Sequence, residues 1–193
     1  LVDELVSKIV FEKEDRVPEA FRGLEKFSHI WVIWQFSEDV RDSWSPTVRP
    51  PRLGGNARMG VFATRSPFRP NALGLSCVRL IGIEHSEEHG AYLRIAGADM
   101  LDGTPVYDIK PYVPYADCHS DALSGFAPNA GRQLRVEYSG DTLSAVPETK
   151  RAALTGVLAN DPRPRYQNDP ERVYAMDFAG LEIKFTVSED TLT

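Results

Sequence analysis

Cysteine is almost absent from this sequence, and the two that occur build no framework. Cys77 falls in an apolar run and Cys118 in a loop, with no CxxC and no Cys/His pair at zinc spacing. A reducing cytoplasm without a structural metal is the expectation. Long apolar runs are missing as well. The longest, around residues 30–36, falls far short of the roughly 18 residues of a membrane span, so a membrane protein is not expected. There is no GxGxxG after a strand-like run, no GxxxxGK[ST], no HExxH, no GxSxG and no Ser/His/Asp order. Hydride transfer, phosphoryl transfer and zinc hydrolysis therefore lose their main support.

A further absence is local. Residues 43–83 contain no Asp or Glu, while Arg49, Arg52, Arg58, Arg65, Arg69 and Arg79 give that window +6; with a net charge of −6 overall, the remainder carries −12. Such a balance argues against nonspecific coating of nucleic acid and suggests one cationic face on an acidic body. The alternative is that these arginines serve structural carboxylates elsewhere in the fold. The Arg- and Pro-rich stretch 43–76 is the expected working site. What surrounds it is ordinary: 193 residues, 42% hydrophobic and 26% charged, enough for a real core in one or two domains.

Strand-like composition occurs at 4–12, 29–36, 59–64, 73–84 and 91–96, rich in Val, Ile, Phe, Tyr and Trp with partial alternation. Only two helices are expected, a short one opening at Pro18 and another over 147–158, each with Pro followed by Glu at its start. Strand–helix alternation is thus missing. The pattern predicts a mainly β protein: a closed or strongly curved antiparallel barrel over 1–120, a loop-like boundary at 118–132, and a small α+β domain over 133–193. The latter ends in a hairpin pairing 173–178 with 181–187 across Ala179-Gly180. His85 and His89, in the polar tip 84–90, read as a solvated loop before they read as metal ligands.

Four blocks hold residues suited to chemistry. Residues 45–56 (SPTVRPPRLGGN) form a long irregular segment in which Gly54-Gly55 lets backbone approach a ligand. In 56–76 (NARMGVFATRSPFRPNALGLS), Arg65 and Arg69 sit at turns, where a guanidinium can bind a carboxylate or phosphate bidentately or stack on a base. In 99–117 (DMLDGTPVYDIKPYVPYAD), the Asp102 turn can accept hydrogen bonds from ribose hydroxyls, and Tyr112 and Tyr115 can stack on a purine. Residues 160–166 (NDPRPRY) add Arg163 and Arg165 on a Pro-stiffened loop; a simple helix stop is the competing reading.

The segments FRGLEKFSHIWVIWQF, WSPTVRPPRLGGNARMGVFATRSPFRPNALGLS, LDGTPVYDIKPYVPYAD and LANDPRPRY, in this order across most of the chain, resemble the TrmO family, also called YaeB or TsaA-like. The resemblance implies an S-adenosyl-L-methionine-dependent methyltransferase acting on N6 of threonylcarbamoyl-adenosine in the anticodon stem-loop of tRNA. It also implies a closed single-sheet β-barrel, a small C-terminal domain and a homodimer. Cofactor contacts carry over to Arg65, Leu75, Asp99, Leu101, Asp102, Gly103 and Thr104, and to Ser37 and Glu38 after HIWVIWQF, where many relatives have His. Relatives open with a strand and a Pro-Arg-Gln loop that helps hold the cofactor, and this sequence is expected to start just after it. Methyl transfer to an amine depends chiefly on holding donor and acceptor in line. No strong base is compulsory, and Asp102 or Tyr112 is the candidate for orienting the amine. Arg49, Arg52, Arg69, Arg163 and Arg165 would hold the RNA backbone. The alternative is a noncatalytic S-adenosylmethionine- or tRNA-binding module of the same fold.

Overall fold

The computed structural model describes residues 2–38, 43–54, 57–127, 131, 133–163, 167 and 169–193, the side chain of Arg52 excepted. The chain divides into two compact units, 1–48 with 58–122 and 49–57 with 123–193.

The first unit is organised by five strands: β1 (Val6–Val10), β2 (His29–Gln35), and, after the short ribbon of β3 (Thr47–Val48) and β4 (Met59–Gly60), β5 (Leu73–Ser86), β6 (Gly90–Ala96) and β7 (Val106–Pro111). All neighbours are antiparallel, in the order β1-β6-β5-β2-β7. Alternation decides the faces. β2 buries Ile30, Val32 and Trp34 while His29, Trp31, Ile33 and Gln35 stay half-buried, as a period of two requires. β5 likewise buries Gly74, Ser76, Val78 and Leu80. The core is Ile30, Val32, Leu93 and Ile95, with Ile9 from β1 and Phe21 from the segment between β1 and β2.

The expected closed barrel is overturned: β1 and β7 are edges of one open sheet, and no sheet among the described residues closes on itself. β7 has the features of a protected edge. Its Asp108 and Lys110 pair at 2.8 Å on the exposed surface, and it ends at Pro111, which has no N–H to donate. The expected helix at Pro18 is two 3-10 turns, Pro18–Phe21 and Leu24–Lys26, separated by Gly23 at φ 92. The strand expected over 59–64 is β4 followed by a 3-10 turn, Val61–Ala63. A short helix, α1 (Pro114–Asp117), follows β7.

β5 and β6 are also tied by charge. The Glu84 carboxylate accepts the Tyr92 hydroxyl at 2.8 Å and Arg94 Nη1 at 2.8 Å. The Tyr92 bond, followed by that from Arg94, holds Glu84 below the usual carboxylate range. A carboxylate whose folded pKa is depressed stabilises the fold above its unfolded value of about 4.3, and that contribution is lost as pH falls through the lower folded value. Glu84→Gln is therefore expected to flatten the acid limb of a plot of urea-unfolding stability against pH. A limb as steep as in the unsubstituted protein would contradict this.

In the second unit, α2 (Glu148–Ala159) starts after Pro147, with Glu148 in its first turn. β8 (Arg135–Val136), the hairpin of β9 (Tyr174–Phe178) and β10 (Leu181–Phe185), and β11 (Val187–Ser188) with β12 (Thr191–Leu192) complete it. β12 lies between β11 and β8 and pairs in parallel with β8. At the β9–β10 turn both Ala179 (φ 52) and Gly180 (φ 78) are left-handed, the backbone a two-residue hairpin turn requires. Leu154, Leu158, Phe185 and Leu192 pack together and line a cavity of about 440 Å³. Among the described residues, no helix is long and apolar enough to cross a membrane, and no group of three or more His, Cys, Asp or Glu could hold a metal ion.

Candidate functional site

Three segments converge where β2 ends. Gln35 N–H donates to Pro105 O at 3.0 Å, and Phe36 N–H donates to Ala72 O at 3.0 Å. Ser37 and Glu38, both exposed, thus leave the sheet between the start of β5 and the loop that precedes β7. That loop is fastened to β5 from the core side. Trp34 Nε1 donates to the buried Ser76 Oγ at 3.0 Å, and Ser76 Oγ donates to Asp99 Oδ1 at 2.5 Å. Beyond Asp99 the chain turns at Leu101, Asp102 and Gly103, with Gly103 at φ 75 and Thr104 N–H closing onto Leu101 O at 3.3 Å. Leu101 is 67% exposed. Ser37, Glu38 and 99–104 therefore share one end of the sheet.

Leu75 does not join them by its side chain. It is next to Ser76, so alternation turns it to the opposite face of β5, where it lies 51% exposed across from Ile33 of β2. Tyr112 is at the wrong end: its amide donates to His29 O, at the start of β2, and its ring packs against Trp31 at 5.9 Å. Seven residues of β2 separate it from the Asp102 turn, about 20 Å at about 3.3 Å per residue. Asp102 and Tyr112 of one chain cannot serve the same reacting atom. Burial, with Cys118 beside it, also raises the Tyr112 pKa, keeping the phenol protonated. Burial and the charge of Asp117 raise Cys77 in the same way.

The block carrying Arg65 and Arg69 braces itself. Thr64 Oγ1 donates to Val61 O at 2.8 Å and accepts Ser66 N–H at 3.2 Å, and Ser66 Oγ accepts Phe68 N–H at 3.3 Å. Arg69 Nη1 donates to Thr64 O at 3.0 Å, so its guanidinium is engaged in holding the turn. Arg65 is exposed on this frame and, among the described residues, makes no hydrogen bond or ion pair. Its loop runs directly into β5. Arg58 Nε donates to Thr47 Oγ1 at 2.9 Å across the β3–β4 ribbon.

Arg79 lies in β5 of the first unit; Arg49, Arg52, Arg163 and Arg165 fall in the second. Arg49 is exposed. The Arg52 side chain and Arg165 lie outside the described residues. Arg163 is only 9% exposed and turns Nε and Nη2 onto the Asp161 carboxylate at 2.8 and 2.9 Å. Both arms of its fork are occupied. Tyr115 is 92% exposed on α1.

Sequence reasoning missed Trp34, Gly74 and Ser76, which fix the Asp99 loop. A Cβ on Gly74 would stand 2.2 Å from the Trp34 ring, so only glycine lets that indole lie against β5. The signal was present: a glycine inside an otherwise apolar strand marks a close approach.

The family model of the tRNA-methyltransferase O N-terminal domain matches residues 1–118, and that of the TrmO C-terminal domain matches 131–193. The chain belongs to the tRNA-methyltransferase O family. The two matches leave out 119–130, the stretch in which one compact unit gives way to the other. A tRNA (adenine(37)-N6)-methyltransferase of Eikenella corrodens is 49% identical over 164 residues, covering 84% of this chain and 92% of that protein. A Pseudomonas aeruginosa protein whose name assigns it to the S-adenosylmethionine-dependent methyltransferases is 43% identical over 173 residues, 86% of this chain and 73% of its own length. The crystal structure of TrmO from P. aeruginosa superposes with a TM-score of 0.79 at 33% identity, over 99% of this chain and 83% of that one.

Proposed function

We infer that this chain is an S-adenosylmethionine-dependent tRNA methyltransferase acting on N6 of threonylcarbamoyladenosine at position 37. Membership of the tRNA-methyltransferase O family supports the activity. The observation that supports the location of the site is the convergence of Ser37, Glu38 and the Asp99–Thr104 loop at the end of β2.

The residues there suit the proposed cofactor by their chemistry. Asp99 and Asp102 offer acceptors to ribose hydroxyls or an ammonium group, Ser37 and Thr104 offer hydroxyls, and exposed Leu101 offers an apolar surface to a purine. Arg65, exposed on the braced turn before β5 and without a partner among the described residues, would take a carboxylate. Bound S-adenosylmethionine supplies an activated methyl group on a sulfonium centre. The protein's part is then to bind, align and exclude water, and Asp102 is the group positioned to receive the N6 proton by way of water. Nothing in this chemistry calls for a metal.

Leu75 would act through the outer face of the sheet, where Leu73 and Leu75 are 43% and 51% exposed beside half-buried Ile33. That apolar strip supports a homodimer in which it is covered, an arrangement sedimentation would report, and a cytoplasmic location goes with the tRNA substrate. Arg49 would meet the RNA backbone. Arg69 would act by holding Arg65 in place.

Incubation with labelled S-adenosylmethionine and threonylcarbamoylated tRNA is expected to label the tRNA. Arg65→Ala is expected to weaken S-adenosylmethionine binding about tenfold or more in calorimetry, the loss of one charge-assisted contact. No transfer by the unsubstituted protein, with an active relative run in parallel, would overturn the reading; binding of both ligands without transfer would favour the noncatalytic module.

A further inference from the structure

Trp44 and Phe62 stack on one another, ring centroids 6.0 Å apart and planes inclined by 25°, yet remain 48% and 72% exposed. Burial of rings of this size is favourable. Here they are held out by their backbone. Trp44 stands just before β3, where Ser45 N–H donates to Phe68 O at 3.1 Å and Ser45 Oγ donates to Thr47 O at 2.7 Å. Phe62 stands just after β4, where Val61 N–H donates to Pro46 O at 3.0 Å and Thr64 N–H donates to Val61 O at 3.0 Å. Each ring is thus carried by a fixed arm of the β3–β4 ribbon, which lowers the entropy a ligand must remove on stacking.

The segment that carries the pair is positively charged. No Asp or Glu occurs in residues 43–83. Arg58 is anchored on the same ribbon by Thr47, and exposed Arg65 follows Phe62 by three residues. A flat, rigid, apolar surface with Arg58 anchored on the same ribbon matches the two parts of an unpaired nucleotide: the rings take the face of the base, and the Arg58 guanidinium takes a phosphate beside it. An apolar protein partner would have no use for this excess of positive charge.

We propose that Trp44 and Phe62 form a stacking platform for an unpaired base of the RNA loop that carries the target adenosine. The proposal rests on the tRNA reading and adds to it a recognition element outside the cofactor end of the sheet. The open face of Phe62 receives the base, and Trp44 backs it. Recognition by stacking is tolerant of base identity, so the platform selects looped over paired RNA.

The test is filter binding of an anticodon stem-loop RNA and of a blunt RNA duplex of equal length to the unsubstituted protein and to Phe62→Ala, Trp44→Ala and Phe62→Tyr. Phe62→Ala and Trp44→Ala are each expected to weaken stem-loop binding about tenfold and to leave duplex binding within about twofold. Phe62→Tyr keeps the ring and should retain affinity. Because no cation is removed, the slope of log affinity against log salt should stay unchanged in all three. Both positions are exposed, so melting temperature and S-adenosylmethionine affinity should not move.

Stem-loop affinity of both alanine variants within about twofold of the unsubstituted protein would overturn the platform. So would an equal loss on the duplex, or a loss of S-adenosylmethionine affinity with RNA binding intact. A change of sedimenting mass with RNA binding intact would show the pair to be a protein interface instead. Failure of the unsubstituted protein to bind the stem-loop would overturn the tRNA reading itself, a result separate from retained binding by the variants.

Discussion

Gly74→Ala is expected to destabilise the first unit by about 3 kcal/mol and to remove S-adenosylmethionine binding at concentrations that saturate the unsubstituted protein. The added methyl would lie 2.2, 2.4 and 2.6 Å from three atoms of the Trp34 ring, distances no carbon pair tolerates. The indole has nowhere to withdraw, being 7% exposed and packed on Phe36 with ring centroids 4.5 Å apart. If the ring moves, its Nε1 leaves Ser76, and Ser76 is what fastens Asp99. One methyl group would thereby release the loop at the proposed cofactor site. Urea unfolding and calorimetry report the two effects separately. Unchanged stability together with unchanged affinity would mean that Trp34 does not pin the Asp99 loop.

Arg163→Ala is expected to destabilise the second unit by about 2–3 kcal/mol, rather than to subtract a simple phosphate contact. Removing Arg163 takes from the Asp161 carboxylate a two-pronged, charge-assisted contact at 2.8 and 2.9 Å. Asp161 retains 31% exposure, so water recovers part of that loss and the effect falls below the range for a fully buried pair. Arg163 also lies over the Tyr174 ring, 5.9 Å from its centroid, with Arg172 at 5.5 Å, so truncation removes packing as well. Arg163→Lys should rescue little, because a single ammonium cannot reproduce the two-pronged contact with Asp161. Thermal melting of both variants checks this. Unchanged melting combined with weakened tRNA binding would return Arg163 to the RNA.

These two residues show what a sequence discloses and what it withholds. The alternation in β2 and in the first half of β5 is local, and each strand is legible from its own residues. So are α2 and the β9–β10 hairpin, whose Pro147 and Gly180 mark a start and a turn by backbone chemistry alone. Closure of the sheet is a different kind of property. It depends on whether the edges β1 and β7 meet, and no periodicity within either strand carries that information. Arginine roles divided for the same reason. Arg65, Arg69 and Arg163 look alike as charges in a Pro-rich context, but among the described residues one has no partner, one caps a carbonyl in its own turn, and one is locked to a neighbouring carboxylate. Only the turn geometry distinguishes them. The Asp102 turn is visible as a turn in the sequence, whereas its separation from Tyr112 by the length of β2 depends on the register of that strand.

The strand order also sets the sequence in which the molecule can assemble. β5 and β6 are joined by a tight hairpin and can pair while the rest of the chain is still open, whereas β1 must find β6 through Val6 and Ala96, and β2 must find both Leu75 and Pro111. Every contact that gathers Ser37, Glu38 and the Asp99 loop involves β2 or a residue it positions. Ligand competence is therefore expected to wait on the non-local pairing of β2. A chain stalled at the hairpin would hold much of its secondary structure and none of its chemistry.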